Sequence, residues 1–275
     1  MNSRRPGLSQ LFTRSCNMKI GIIGVGKMAS AIITGLKKTP HELIISGSSL
    51  ERSREIAEQL SLSYASSHQE LIDQVDLVIL GIKPQLFKAV LHPLHFRQPI
   101  ISMAAGISLQ DLATLVGEDL PLLRIMPNMN AQILQSSTAL TGNALVSKEL
   151  QASVQELTDS FGSTFIIDEK DFDTFTALAG SSPAYIYLFI EALAKAGVNN
   201  GLPKPKALDI ITQTVLASAN NLLASQQSPN DFIDAICSPG GTTIAGLMEL
   251  ERLGLTATVS SAIDKTIDKA KHLQK

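Results

Sequence analysis

Residues 19–29 read Lys-Ile-Gly-Ile-Ile-Gly-Val-Gly-Lys-Met-Ala, and this stretch decides the fold. Residues 19–23 form a short apolar run rich in β-branched side chains, the pattern of a buried strand. Gly24, Val25, Gly26, Lys27, Met28 and Ala29 follow at once in the form G-x-G-x-x-A, and residues 30–38 then carry the apolar spacing of a helix. Strand, glycine turn and helix in that order give the context of a dinucleotide fingerprint. The first glycine makes the tight turn, the second lets backbone approach a pyrophosphate, and the small third residue packs helix on strand. A tight structural turn is the competing reading; the flanking strand and helix favour the nucleotide.

Working outward, residues 41–45 give a second strand ending at Ser46-Gly47-Ser48-Ser49. An acid about 20 residues past the fingerprint takes the ribose hydroxyls in NAD sites. Here that place falls at Ser46, and the first acid downstream is Glu51. Hydroxyls of Ser46 and Ser48, with Arg52 and Arg54 nearby, suit a 2′-phosphate, so NADP(H) is expected ahead of NAD(H). The alternative is that these serines only cap a helix. Residues 76–82 and 99–103 are further apolar strands, the first ending in Ile82-Lys83-Pro84 and the second in Ala104-Ala105-Gly106. Ligands sit at the carboxyl ends of parallel strands, and the small residues leave room for a flat ring. Residues 121–126, 138–141 and 164–167 continue the strand series around a helix at 147–161. The expected fold is α/β, a Rossmann-type doubly wound parallel sheet.

Composition narrows the class. The chain has 275 residues, 44% hydrophobic and 17% charged, with a net charge of −2. It can bury a sizeable core, and the charge gives no sign of a nucleic-acid partner. The apolar runs are interrupted before membrane-spanning length, so no membrane partner is expected. Two distant cysteines, Cys16 and Cys237, fit a reducing, cytoplasmic setting, and the five histidines form no metal-ligand motif. Residues 1–17 hold Arg4, Arg5 and Arg14 and no acid. They read as a disordered or mis-started extension, with Met18 as the alternative start and a transit peptide as the competing reading.

After Asp168 the strand-like runs stop. Residues 171–196 read as one long helix interrupted by Gly180-Ser181-Ser182-Pro183, where proline kinks or restarts it. Residues 206–224 form a second helix with Ile210, Ile211, Val215 and Leu222 expected to be buried; 231–236, 242–250 and 256–272 follow. The domains are therefore read as 1–17, 18–167 (nucleotide-binding) and 168–275 (all-helical), the last packing its apolar helices in a homodimer. Ser238-Pro239-Gly240-Gly241-Thr242-Thr243 lies between two of these helices. Two glycines before a helix make a nest of amides suited to a carboxylate. An ordinary capped helix–helix turn is equally compatible with the local sequence.

Together these pieces resemble the pyrroline-5-carboxylate reductases. The resemblance runs from Met18 to the C-terminus and rests on GVGKMA (24–29), IKPQ (82–85), SMAAGI (102–107), RIMPN (124–128), AGSSPAY (179–185) and ICSPGGTTIAGL (236–247). The chain departs from the family at Ser182, where glycine is usual, and at 129–130 and 135–137. His68 stands where an asparagine usually reaches the adenosine ribose.

The resemblance implies reduction of the cyclic imine 1-pyrroline-5-carboxylate to L-proline, the last step of proline biosynthesis. NADPH is the implied hydride donor, with NADH as the alternative. No metal is needed, because a protonated imine is already electrophilic. It further implies that Ser238, Gly240, Gly241, Thr242 and Thr243 bind the substrate carboxylate, with Thr243 also on the ring nitrogen. A dimer, assembling in the family to decamers, would bring this loop to the partner's cofactor. A β-hydroxyacid dehydrogenase or imine reductase of the same plan is the rival enzyme; those use a lysine in the interdomain helix, where this chain has only Lys195. A nucleotide sensor without activity is the non-enzymatic rival.

Overall fold

A computed structural model describes residues 17–273. Residues 1–16, which carry Arg4, Arg5, Arg14 and Cys16 and on which the reading of an extension rests, lie outside the described residues. The chain forms two compact units, one running to Gly180 with Ala270 onward, the other Ser181–Lys269.

The first unit is an eight-stranded sheet in the order β3-β2-β1-β4-β5-β6-β7-β8. Its strands are β1 (Lys19–Ile23), β2 (Glu42–Ser46), β3 (Ser63–Tyr64), β4 (Leu77–Leu80), β5 (Ile100–Ser102), β6 (Leu122–Met126), β7 (Ser136–Gly142) and β8 (Gly162–Ile166). Helices α1 (Lys27–Leu36), α2 (Leu50–Leu60), α3 (His68–Gln74), α4 (Phe87–Leu91), α5 (Leu109–Val116) and α6 (Lys148–Asp159) connect them. Two apolar clusters cover the sheet, one around Ile20, Ile22, Ile32 and Phe161, the other around Ile23, Leu80, Phe87 and Leu112. Strands β1 and β4 are buried along nearly their whole length, which is why they read as unbroken apolar runs.

Three expectations shift. Helix α1 begins at Lys27 rather than Ser30, so Lys27, Met28 and Ala29 form its first turn and the fingerprint glycine Gly26 is the residue before it. The sheet is not wholly parallel: β7 runs antiparallel to β6, with Met126 opposite Ala139, and parallel to β8. Residues 127–135 between β6 and β7 are too short for a parallel crossover, which takes a dozen residues or more. The two-residue edge strand β3 carries no periodicity of its own and pairs only with Ile44 and Ile45.

At the end of the first unit, a short turn at Glu169–Asp171 leads into α7 (Phe172–Phe175) and a π-helical turn, Thr176–Ser181. Helix α8 (Ser182–Asn199) then takes Pro183 in its first turn. The helix thus restarts at the proline after a widened turn, since the missing N–H falls where a helix start needs none. The helical run Glu169–Asn199 is 31 residues long, so by length and composition alone it could cross a membrane, which the interrupted sequence did not suggest.

The second unit continues with α9 (Lys204–Leu223), α10 (Pro229–Ile236), α11 (Thr242–Arg252) and α12, which begins at Leu255 and runs to Leu273. Its helices bury little within one chain. Ala194 is the buried residue of α8 and Ala207 that of α9. Ile210 and Leu222, expected inside, are exposed, as are Leu188, Leu223, Ile236 and Leu253. Their periodicity marks an apolar face that the described residues of one chain leave exposed.

Candidate active site

The predicted nucleotide residues meet along one edge of the first unit's sheet. Strands β1, β2, β4 and β5 are parallel, with Ile23 opposite both Ser46 and Leu80, and Leu80 opposite Ser102. Gly24, Ser46, Ile82 and Ala104 therefore lie at or just past aligned carboxyl ends. The strand order reverses between β1 and β4, the switch point at which such sheets bind ligands.

The two fingerprint glycines differ in what demands them. Gly24 has φ +83°, and a Cβ there would lie 2.5 Å from Cγ2 of Ile82. Its N–H donates to the Ser46 carbonyl at 2.9 Å. Gly24 is thus required by the fold. At Gly26 a Cβ would meet nothing within 4 Å, so space above it is open. Buried Ala29 lies 3.0 Å from where a Cβ on Gly81 would be, consistent with a small residue at helix–strand contact.

A cleft of about 580 Å³ opens beside Gly26, lined among others by Val25, Lys27, Ser30, Arg52 and Gln132. The first turn of α1 holds no acid, and no side chain caps it. Its leading amides and the positive helix end are free to face an anion, with Lys27 and Arg52 adding positive charge. This donor set fits a dinucleotide diphosphate. Gln132 arrives from the turn Met129–Ile133 packed against α1 and had no local sequence signal.

The serine turn divides its work. Ser46 is 1% exposed, and its Oγ hydrogen-bonds Nδ1 of His68 at 2.7 Å. Burial holds the His68 imidazole below its ordinary value of 6.5. Ser49 caps α2, accepting from the Arg52 N–H at 3.1 Å, while Ser53 accepts from the Gly47 N–H at 2.8 Å. Ser48 is exposed, and so is Lys83 ahead of the turn Pro84–Leu86. Neither Ser48, Lys83 nor Pro84 lines the cleft. Ala104 is buried, whereas Ala105 is exposed beside Gly106, whose φ is +77°.

In the second unit, Gly240 has φ +69°, and the Gly241 N–H donates to the Ser238 carbonyl at 3.0 Å, closing a tight turn. A Cβ on Gly241 would lie 2.4 Å from Ser238 Oγ, so a side chain there would displace the Ser238 hydroxyl. Helix α11 starts at Thr242 with no side-chain cap. Gly241 spends its amide on the turn, leaving those of Thr242 and Thr243 at the helix end, with the exposed hydroxyls of Ser238, Thr242 and Thr243 nearby. The group suits a small carboxylate.

The fold and these two donor sets define an NAD(P)-dependent oxidoreductase with a helical dimerisation region. Family models agree: residues 19–106 match "NADP oxidoreductase coenzyme F420-dependent" and residues 169–273 match "Pyrroline-5-carboxylate reductase dimerisation". A pyrroline-5-carboxylate reductase of Aquifex aeolicus is 39% identical over 93% of this chain and 97% of its own. A crystal structure of the Streptococcus pyogenes 1-pyrroline-5-carboxylate reductase is 88% identical, with TM-score 0.88 over 93% of this chain and 99% of that one. The Plasmodium falciparum enzyme, solved with NADP bound, is 31% identical, with TM-score 0.83 over 94% and 99%. The chain belongs to the pyrroline-5-carboxylate reductase family, and its reaction is the NAD(P)H-dependent reduction of 1-pyrroline-5-carboxylate to L-proline.

Proposed function

We propose that this reductase uses NADPH in preference to NADH, held by residues 18–167, and binds substrate through residues 168–275. The observation that carries the cofactor reading is the cleft beside Gly26, with Lys27 and Arg52 in its wall and no acid in the first turn of α1. Gly24, Val25, Gly26, Lys27, Met28 and Ala29 cradle the diphosphate. Ser48 and Arg52 serve the 2′-phosphate, and the Ser46–His68 pair supports the adenosine side. Ile82, Lys83 and Pro84 border the bound dinucleotide, and Ala104, Ala105 and Gly106 leave room for its flat ring.

When bound, NADPH supplies the hydride. Amides of Thr242 and Thr243 and the Ser238 hydroxyl hold the substrate carboxylate, while Gly240 and Gly241 shape the turn that aims them. The Thr243 hydroxyl hydrogen-bonds the ring nitrogen and steers its proton. The rest of catalysis is alignment in a water-poor site. The exposed apolar faces of α8 and α9 are covered by a second copy, so the substrate loop of one protomer serves the cofactor of its partner, and dimers assemble further into decamers. The enzyme acts in the cytoplasm without membrane or nucleic-acid partners.

The deciding assay follows NADPH and NADH oxidation with 1-pyrroline-5-carboxylate. A higher kcat/KM for NADPH supports the reading, and a preference for NADH overturns it.

A further inference from the structure

Arg124, on β6, is 5% exposed, and a lone guanidinium so far from water is costly. Its Nη1 donates to Oε1 of Glu169 at 2.5 Å, and its guanidinium carbon lies 4.6 Å from the centroid of the Phe172 ring. The same Oε1 accepts the backbone N–H of Leu109 at 2.7 Å. Leu109 is the first residue of α5, three positions after Gly106. One carboxylate oxygen thus joins β6, the start of α5 and the turn Glu169–Asp171.

Directly beneath the loop lies a cavity of about 90 Å³. Ala105 and Gly106 form its wall on one side, and Arg124, Met126, Phe172 and Thr176 are among its other walls. At Ala105 and Gly106, then, the loop is not backed by close-packed side chains. Ile107 and Leu109 pack against the second apolar cluster, and polar links hold the two ends: Ala104, whose N–H donates to Ser102 Oγ at 3.2 Å, and Leu109, whose N–H donates to Glu169. Ser108 is fastened to Asp111 within α5 itself, and the Asp111 carboxylate also feels the Arg124 charge from β6, a weaker link to the same arginine.

We infer that Glu169 is a positioning residue for hydride transfer: charge-paired with Arg124, it pins Leu109 and so sets the height of the 104–108 loop against the nicotinamide ring. The inference rests on the proposed contact of that loop with the cofactor. Donor and acceptor carbons must approach to about 3–3.5 Å, and a displacement of about 1 Å costs up to 10²-fold in rate. A loop over a void is where such a displacement is easy.

The test compares the native enzyme with the double variant Arg124→Met/Glu169→Leu and the single variant Glu169→Gln. The double variant removes buried Arg124 together with its half-buried partner Glu169, so it avoids stranding the arginine charge and keeps the fold. We expect its kcat to fall about tenfold, its KM for 1-pyrroline-5-carboxylate to stay within about twofold, and the isotope effect with deuterated NADPH to rise. Glu169→Gln keeps an oxygen for the Leu109 N–H and restores most of kcat. A double variant with lowered Tm but native kcat and isotope effect overturns the inference, as does a Gln variant no better than the double one. If the native protein turns over no imine, the reading of the reaction fails. The clamp is then judged by the fluorescence of bound NADPH, and identical emission in native and double variant overturns it.

Discussion

The side-chain amide of Asn128 donates to the carbonyl of Ala179 at 2.9 Å, across 51 residues of chain. Ala179 stands four residues before Pro183, which has no N–H to return to it along a helix. Asn128, 5% exposed at the end of β6, supplies a donor from the sheet and supports the π-helical turn Thr176–Ser181. Its own Oδ1 accepts from the Asn130 N–H at 3.1 Å, so both ends of the amide are used. Asn128→Ala should therefore destabilise by about 1–3 kcal/mol. That lowers Tm by several degrees in a thermal melt, and Asn128→Asp, which has no donor at neutral pH, should not restore it.

Gly24 and Gly26 should separate under the same substitution. Gly24→Ala forces a side chain into positive φ against Ile82 and should lose about 1–2 kcal/mol or more of stability, read by urea unfolding. Gly26→Ala meets no atom of the protein, so its stability should change by less than about 0.5 kcal/mol. The new methyl instead enters the space offered to the diphosphate, and the Kd for NADPH should rise at least about tenfold, near 1.4 kcal/mol. Unchanged NADPH titration in Gly26→Ala would remove the cleft as the cofactor site.

The glycine–threonine turn gives a complementary separation. Gly241→Ala displaces the Ser238 hydroxyl and should raise KM for 1-pyrroline-5-carboxylate while leaving NADPH affinity alone. Thr243→Ala should slow single-turnover hydride transfer about tenfold, the loss of one hydrogen bond to a developing charge distribution, again without weakening NADPH. A single-turnover rate equal to that of the native enzyme would take Thr243 out of the mechanism.

His68 and His41 make stability depend on pH. Burial is the main cause that holds both imidazoles below 6.5 in the folded chain, with Glu156 partly opposing it at His41. Between the lowered folded values and 6.5, the unfolded chain binds more protons than the folded one. Stability should then rise with pH through that window and be lost as pH falls below 6.5. In urea midpoints measured from pH 5 to 7.5, His68→Gln should flatten part of this acid limb. An acid limb as steep as that of the native protein would show that His68 does not contribute.

The Gly-x-Gly-x-x-Ala run, the apolar strands β1 and β4 and the Ser238–Pro239–Gly240–Gly241–Thr242–Thr243 turn were legible in the sequence because each follows from local demands. A positive φ and a strand buried on both faces leave residue-level marks, as does a glycine turn; that the helix after it starts without a side-chain cap came only from the structure. The apolar faces of the helices after Asp168 were legible too, with the expectation that they pack in a homodimer; that Ile210 and Leu222 are the positions a single chain leaves exposed was not. Burial depends on what packs opposite, and a helix sequence does not record it.

Tertiary structure alone decided the rest. The antiparallel turn of β7, the entry of Gln132 into the cleft beside Gly26, the Ser46–His68 pair and the Glu169 carboxylate shared by Arg124 and Leu109 all join residues far apart in the chain. Their partners are chosen by strand register and by how segments stack on the sheet. A fingerprint depends on the backbone conformation of a few consecutive residues and is written in one place. A clamp such as Glu169 depends on where three distant segments come to rest, and only the folded chain brings them together.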